Sequence, residues 1–287
     1  MEEKGKKESK FLDTWKRLKK NPGAVIGLII LLVFFCAAIF ANQICSEDLV
    51  TMQNAAIRLQ GPSKEHIFGT DAYGRDLFAR VLFGSRISLT IGLFTAFFSL
   101  IIGGILGAAA AFYGGAFDNV VMRVMDIFTA IPGTLLALAI VAVLGANMTN
   151  LLIAITISSV PGFVRLIRST VLTVVDSDYV EAARACGTRD GRIILRHILP
   201  NAIGPIIVQT TNSISGMILQ ASGLSFIGMG VQPPTPEWGS MISEAREFMQ
   251  LHPYLMIFPG ICIILAALSF NLIGDGLRDA MDPRLRD

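Results

Sequence analysis

The sequence is poor in charge. Of its 287 residues only 16% are Asp, Glu, Lys or Arg, while 53% are hydrophobic, against about 25% charged residues in a soluble domain. Mean hydropathy is +0.60. An ordinary soluble domain is excluded, and lipid is the expected surrounding. Cysteine and histidine are sparse as well. Cys36, Cys45, Cys186 and Cys262 form no CxxC pair, and His66, His197 and His252 lie far apart in the chain. Neither a disulfide framework nor a metal cluster is expected to organise the fold. There is no GxxxxGK[ST] loop to cradle phosphates, no HExxH and no GxSxG, so the signatures of a nucleotide-binding loop, a zinc protease and a serine hydrolase are all missing. The chain is expected not to be an enzyme and to hold no cofactor or metal of its own.

What the sequence does have is long apolar runs. A helix crossing the hydrocarbon core needs about 20 mostly apolar residues. Six segments qualify, at 23–42, 87–111, 122–144, 150–168, 203–227 and 254–274. The fourth is the weakest, with Pro161 and Arg165 near its end. The first follows Lys16, Arg17, Lys19 and Lys20, as a signal sequence would. Its apolar run exceeds the roughly 7–15 residues of a signal h-region, and no clear small-x-small cleavage site follows, so it is expected to be a retained anchor. The net charge of +2 says little, but its distribution says more. With the N-terminus in the cytoplasm, inner segments carry 18 of the 24 Lys and Arg residues, eight of them before residue 21. The outer ones carry Arg58, Lys64, Arg75, Arg80, Arg86 and Arg246. That asymmetry orients the chain with both termini inside. The expected organisation is a basic cytoplasmic segment (1–22), a first membrane helix (23–42), an extracytoplasmic loop (43–86), a five-helix core (87–274) containing a cytoplasmic loop (169–202), and a cytoplasmic tail (275–287).

The 169–202 loop is the most informative stretch. Asp178 can cap a helix whose third residue is Glu181, a capping-box spacing. Gly187 stands where a left-handed residue ends such a helix. Thr188 can start a second short helix with Ile193, Ile194, Leu195 and Ile198, and Pro200 suits the entry to the fifth span. Ala182, Ala183 and Ala185 keep the first helix slim enough for a groove on a partner. An ordinary connector packed under the bundle has the same pattern.

This segment resembles the EAA loop of binding-protein-dependent ABC permeases, whose pattern is E-A-A, three residues, Gly, nine residues, then Ile-x-Leu-Pro. Here it reads Glu181-Ala182-Ala183, Gly187 and Leu199-Pro200, with His197 in place of the pattern's Ile. The resemblance implies a coupling helix that docks into a cleft of an ATPase subunit through Glu181, Ala182, Ala183 and Gly187. Residues 66–89 are similar to the GTDxxGRD signature of the dipeptide/oligopeptide/nickel permeases, in their second or C-type subunit, through Gly69, Thr70, Asp71, Gly74, Arg75 and Asp76. Residues 21–24, Met122-Arg123 with Asp126, 232–239 and 270–279 fit the same subunit. What the family implies is an all-α membrane protein with six transmembrane helices, the type I ABC importer permease fold, in a bacterial inner membrane. Its partners would be a second homologous permease in a heterodimer, two ABC ATPases that hold the ATP and Mg, and an extracytoplasmic solute-binding protein, with no nucleic acid. Substrates in the family are dipeptides, oligopeptides, nickel or its chelates and some glycosidic or opine-like solutes, and no His or Cys cluster here favours free metal. The rival class is a stand-alone secondary transporter or channel, although few charges fall at mid-membrane to couple an ion.

Other pieces carry narrower expectations. Asp76 can cap a helix with Leu77, Phe78, Val81 and Leu82 on one side and Arg75, Asp76 and Arg80 on the other, lying in the outer interface. Trp238 suits an interfacial anchor. Arg123 and Asp126 can pair on one helix face. In the fifth span Gln209, Asn212, Gly216, Gln220 and Gly223 recur at intervals of three or four and should share a face, which is either a pathway lining or a dry helix seam. Gly103 and Gly107 read as packing residues.

Overall fold

The computed structural model describes residues 10–282. The basic residues Lys4, Lys6 and Lys7 and the tail's Arg284 and Arg286, which contribute to the charge asymmetry, lie outside the described residues. A short basic helix, α1 (Lys10–Leu18), leads into α2 (Pro22–Ile44). Asn21 starts α2 by accepting from the Ala24 amide at 3.2 Å, and Pro22 occupies a first-turn position where a missing N–H costs nothing. After an outer loop, α3 (Leu77–Tyr113) runs for 37 residues, about 55 Å at 1.5 Å per residue, well beyond the roughly 30 Å of a hydrocarbon core.

The third apolar segment is not one helix. It is α4 (Gly115–Thr129) and α5 (Gly133–Leu144), bent by 81° at the break. Pro132 has no N–H to continue the ladder, and its own backbone is extended, with ψ 131°. Next come α6 (Met148–Leu172), the short α7 (Asp178–Ala185), α8 (Asp190–Phe226), the outer helix α9 (Trp238–Ala245) and α10 (Tyr254–Met281). Among the described residues five helices are long and apolar enough to cross a membrane, and the bent pair, counted as one broken span, brings the number to six. The described residues contain no β-strand, only an isolated bridge between Thr70 and Asp76.

Small residues let the helices approach closely. A Cβ on Gly103 would sit 2.4 Å from Phe163 Cβ, and one on Gly107 would sit 2.6 Å from the Val164 carbonyl oxygen, so α3 and α6 meet nearly backbone to backbone, as expected of those glycines. Gly27 of α2 makes the same kind of contact with α10, at 2.8 Å from the Ser269 carbonyl oxygen. Outward-facing Ile, Leu, Val and Phe side chains, such as Leu32, Ile105 and Val143, remain exposed, which suits a lipid-facing surface.

Four local expectations are corrected here. The helix after Asp76 does not lie in the interface as a separate element; it is the first part of α3, and its Arg80 is 1% exposed. Trp238 is no interfacial anchor: it is fully buried, donates from Nε1 to the Val81 carbonyl at 3.0 Å, and sits 5.4 Å from the Phe34 ring. Asp126 pairs with Arg165 across two helices at 2.9 Å rather than with Arg123. The second short helix of the inner loop does not start at Thr188 or stand alone. It begins at Asp190 and passes through a π-helical turn (Ile194–Ile198) directly into the fifth span.

Candidate functional site

The inner segment between α6 and α8 is a handle held by apolar pegs. Val180, Ile193 and Ile198 are fully buried, and they pack with Val171, Val175, Ile206 and the small residues Ala108 and Ala202. Arg184 lies over the Phe112 ring at 4.7 Å. The start of α7 differs from expectation. Ser177, not Asp178, is the N-cap residue, and no side-chain capping bond forms, because the Ser177 hydroxyl donates backward to the Val174 carbonyl. The end of α7 is as the glycine implied. Gly187 has φ +70°, its amide reaches the Arg184 carbonyl at 2.9 Å, and the Thr188 amide reaches Ala183 at 3.1 Å. These two bonds make a Schellman cap. Glu181, Ala182 and Gly187 are exposed and Ala183 is half-buried. At the far end Leu199 donates to the Ile194 carbonyl, closing the π turn. Pro200 has no N–H for Arg196, and Asn201 Nδ2 bonds the His197 carbonyl at 2.7 Å.

A second feature lies among the spans. An open cleft of about 560 Å³ is lined by Thr129 at the end of α4, by Ser158, Ser159, Pro161, Gly162, Phe163 and Leu166 of α6, and by Gln209, Ser213, Gly216, Met217 and Gln220 of α8. Gln220 Nε2 reaches toward the Gly133 carbonyl and Ser158 Oγ, both at 3.4 Å, so it stands beside the break in the third span. The expected polar face therefore splits. At 100° per residue, Gln209, Gly216 and Gln220 fall within about 40° of one another, while Asn212 turns about 60° away from Gln209. Asn212 packs on α10 instead, so tightly that a Cβ on Gly274 would meet its Oδ1 at 1.7 Å. That oxygen is buried with no hydrogen-bond partner among the described residues. Thr129, Ser158, Ser159 and Ser213 belong to the cleft although sequence reasoning passed over them. The available signal was the run of Ser158 and Ser159 next to Pro161 and Gly162 inside an apolar span.

The GTDxxGRD segment builds a clamp at the outer end. Gly69 and Gly74 take φ +85° and +73°, and a Cβ on Gly74 would lie 1.9 Å from the Asn54 carbonyl oxygen. Asp71 accepts from the amides of Tyr73 (2.8 Å) and Arg75 (3.0 Å) and from Arg75 Nε at 2.6 Å. Arg75 and Arg80 both reach Glu244 in the last turn of α9, at 2.9 and 2.6 Å. Thr70 donates to the Ile57 carbonyl. Asp76 caps α3 through the Ala79 amide at 2.8 Å and meets His66 Nδ1 at 2.9 Å. Beside this network Glu237 is fully buried and accepts from the amides of Gly239 (2.9 Å) and Ser240 (2.8 Å). Burial pushes its carboxyl above the usual range, and those amides pull part of the way back.

The chain as a whole is similar to known proteins. Residues 99–287 match the family described as the inner membrane component of binding-protein-dependent transport systems, and residues 9–62 match the N-terminal transmembrane domain of oligopeptide transport permease C. The dipeptide transport system permease protein DppC of Alkalihalophilus pseudofirmus is 48% identical over 278 residues, covering 97% of this chain and 91% of that protein. The glutathione transport system permease protein GsiD of Escherichia coli is 43% identical over 272 residues, covering 95% and 90%. Among solved structures, the inward-facing MetNI methionine ABC transporter contains a chain with TM-score 0.58 at 16% identity, spanning 72% of this chain and 97% of that one. The fold is thus that of an ABC importer permease, and the chain belongs to the binding-protein-dependent permease family. It is a multi-pass protein of the bacterial inner membrane and a pore-forming, non-enzymatic subunit.

Proposed function

We propose that this chain is the C-type permease of a peptide importer, forming half of a translocation path with a second, homologous permease. The observation that carries the reading is the polar cleft. Its Ser, Thr and Gln side chains open to the outside of a single chain whose spans otherwise expose many large apolar side chains, and such polar groups are costly against lipid. A second permease facing it would enclose an aqueous route. The full-length similarity to a dipeptide permease and a glutathione permease supports peptides as the cargo, while nickel remains only a family possibility.

On the same reading α7 is the coupling helix. Glu181, Ala182, Ala183 and Gly187 form the surface that enters an ATPase subunit, and Leu199 and Pro200 anchor the helix that returns from the handle. ATP binding closes two ATPase subunits outside this chain, and the handle carries that motion to α6 and α8. The work is done through differential affinity of ligands for the two states of the path. The GTDxxGRD clamp gives the outer side a stiff rim where a solute-binding protein delivers its cargo. The test is uptake of a labelled dipeptide by cells deleted for this chain. Loss of binding-protein-dependent uptake, restored by the wild-type chain, is expected; unchanged uptake overturns the assignment.

A further inference from the structure

Two Arg–Asp pairs join α4 to α6, and they are built differently. Arg168 grips Asp118 with two nitrogens, at 2.5 and 2.6 Å, and the side chains are 29% and 16% exposed. This is a bidentate brace. Arg165 uses Nη2 alone, touching Asp126 Oδ1 at 2.9 Å and Thr129 Oγ1 at 2.6 Å, with side chains 41% and 54% exposed. Its Nε and Nη1, and Oδ2 of Asp126, have no partner among the described residues. An exposed, single-point pair of this kind holds weakly and exchanges readily.

The weak pair borders the cleft. Thr129, its third member, lines the cleft wall, as does Leu166 next to Arg165. The lining itself has no charged side chain. Arg165 is seven residues inside the end of α6, which closes at Leu172, so both charges belong to spanning helices, where ionisable groups mark pathways.

We propose that Arg165 and Asp126 form a transit site for the charged ends of a peptide. The pair opens, which frees Nη2 from Asp126; the terminal carboxylate then takes a guanidinium fork that includes Nη2, and Asp126 takes the terminal ammonium. One ion pair becomes two, so no charge is left uncompensated during passage, and the original pair closes behind the cargo. The guanidinium fork matches a carboxylate by geometry. This proposal rests on the peptide-import reading.

The test uses the whole complex in proteoliposomes, with its binding protein and a labelled zwitterionic dipeptide. The double variant Asp126→Asn/Arg165→Gln can keep a neutral hydrogen bond between the helices. It is expected to accumulate normally and retain its ATPases while losing about tenfold in uptake, because two charge-assisted contacts to the cargo are gone. Uptake at the wild-type rate overturns the proposal. Should the double variant fail to assemble, the pair is a brace and the proposal fails on that arm as well. A second measurement keeps both charges of the pair. In a cysteine-free background, Thr129→Cys is expected to react several-fold more slowly with a charged thiol reagent while dipeptide is turning over, and unchanged labelling is an independent refutation. If the wild-type complex imports no dipeptide, the peptide reading itself falls; if it does and the variants are unaffected, only the transit site falls.

Discussion

The outer clamp and the inner handle both depend on glycine and charge, but they use them in opposite ways. At the outer end Arg75 and Arg80 are 2% and 1% exposed and are shared between Asp71 and Glu244. Gly74 has a positive φ and also no room, since a Cβ would strike the Asn54 carbonyl. At the inner end Glu181 and Gly187 are exposed, and a Cβ on Gly187 would meet nothing within 4 Å. Gly187 is needed for its backbone conformation alone. The difference separates two kinds of requirement. The outer end is over-determined by mutually dependent contacts, as suits a rigid rim. The inner handle is fixed at its apolar pegs and by Arg184 over Phe112, and leaves Glu181 and Gly187 uncommitted. Damage to the first should therefore appear as lost stability, and damage to the second as lost assembly with a partner.

The largest effect is expected from Glu244→Gln. It would leave Arg75 and Arg80, both buried, sharing the single carboxylate of Asp71. Removing one partner of a buried ion pair costs about 3–5 kcal/mol, and the 17% exposure of the Glu244 side chain puts this case toward the lower end. The purified permease should show a clear fall in Tm and reduced accumulation. An unchanged Tm would mean that the clamp is not a stability element, and the contrast between the two ends would disappear.

Substitution of Gly187 sharpens the other side of the comparison. Left-handed backbone costs about 1–2 kcal/mol for an ordinary L-residue, and a β-branched residue fares worse there. Gly187→Ala should weaken the Schellman cap moderately, and Gly187→Val should displace the turn that presents α7. In both variants the spans are untouched, so Tm should stay near wild type. Co-purification of the ATPase subunits should fall in the order wild type, Ala, Val. Normal association in the Val variant would reduce the segment to a connector.

The sequence made local features legible and left long-range ones out of reach. Asp76 as a cap, the left-handed Gly187, and the packing role of Gly103 and Gly107 all follow from chemistry within a few residues or from helical spacing. The break of the third span had a local signal too, in Pro132-Gly133, but an apolar count over 122–144 averages across it. Glu244 as the partner of Arg75 and Arg80 is separated from them by more than 160 residues; no spacing rule reaches that far. The same blindness placed Trp238 at the interface, because its burial depends on α2 and α3 closing over it. The polar face of the fifth span was half legible. Period alone brought Gln209, Gly216 and Gln220 together, but a 60° offset was enough to send Asn212 to a different neighbour.

That split supplies the smallest and most discriminating comparison, between Gln220→Leu and Asn212→Ala. The Gln220 contacts to Gly133 and Ser158 are long, 3.4 Å each, so their loss should change stability by no more than the roughly 0.5–1.5 kcal/mol of a typical net hydrogen bond. Leucine would nevertheless put an apolar side chain into the polar wall beside the helix break, and uptake should fall several-fold while the complex still assembles. Asn212 points to α10, away from the cleft, and its Oδ1 is buried with no partner among the described residues. Alanine removes that oxygen without touching the lining, so uptake should remain near wild type. Both are single changes in one helix, only eight residues apart, which makes a general disturbance of the fifth span a poor explanation for any difference between them. Equal uptake by the two variants would show that the cleft wall is packing and not a path, whereas loss in Gln220→Leu alone ties transport to the side of the helix that faces Thr129 and Ser158.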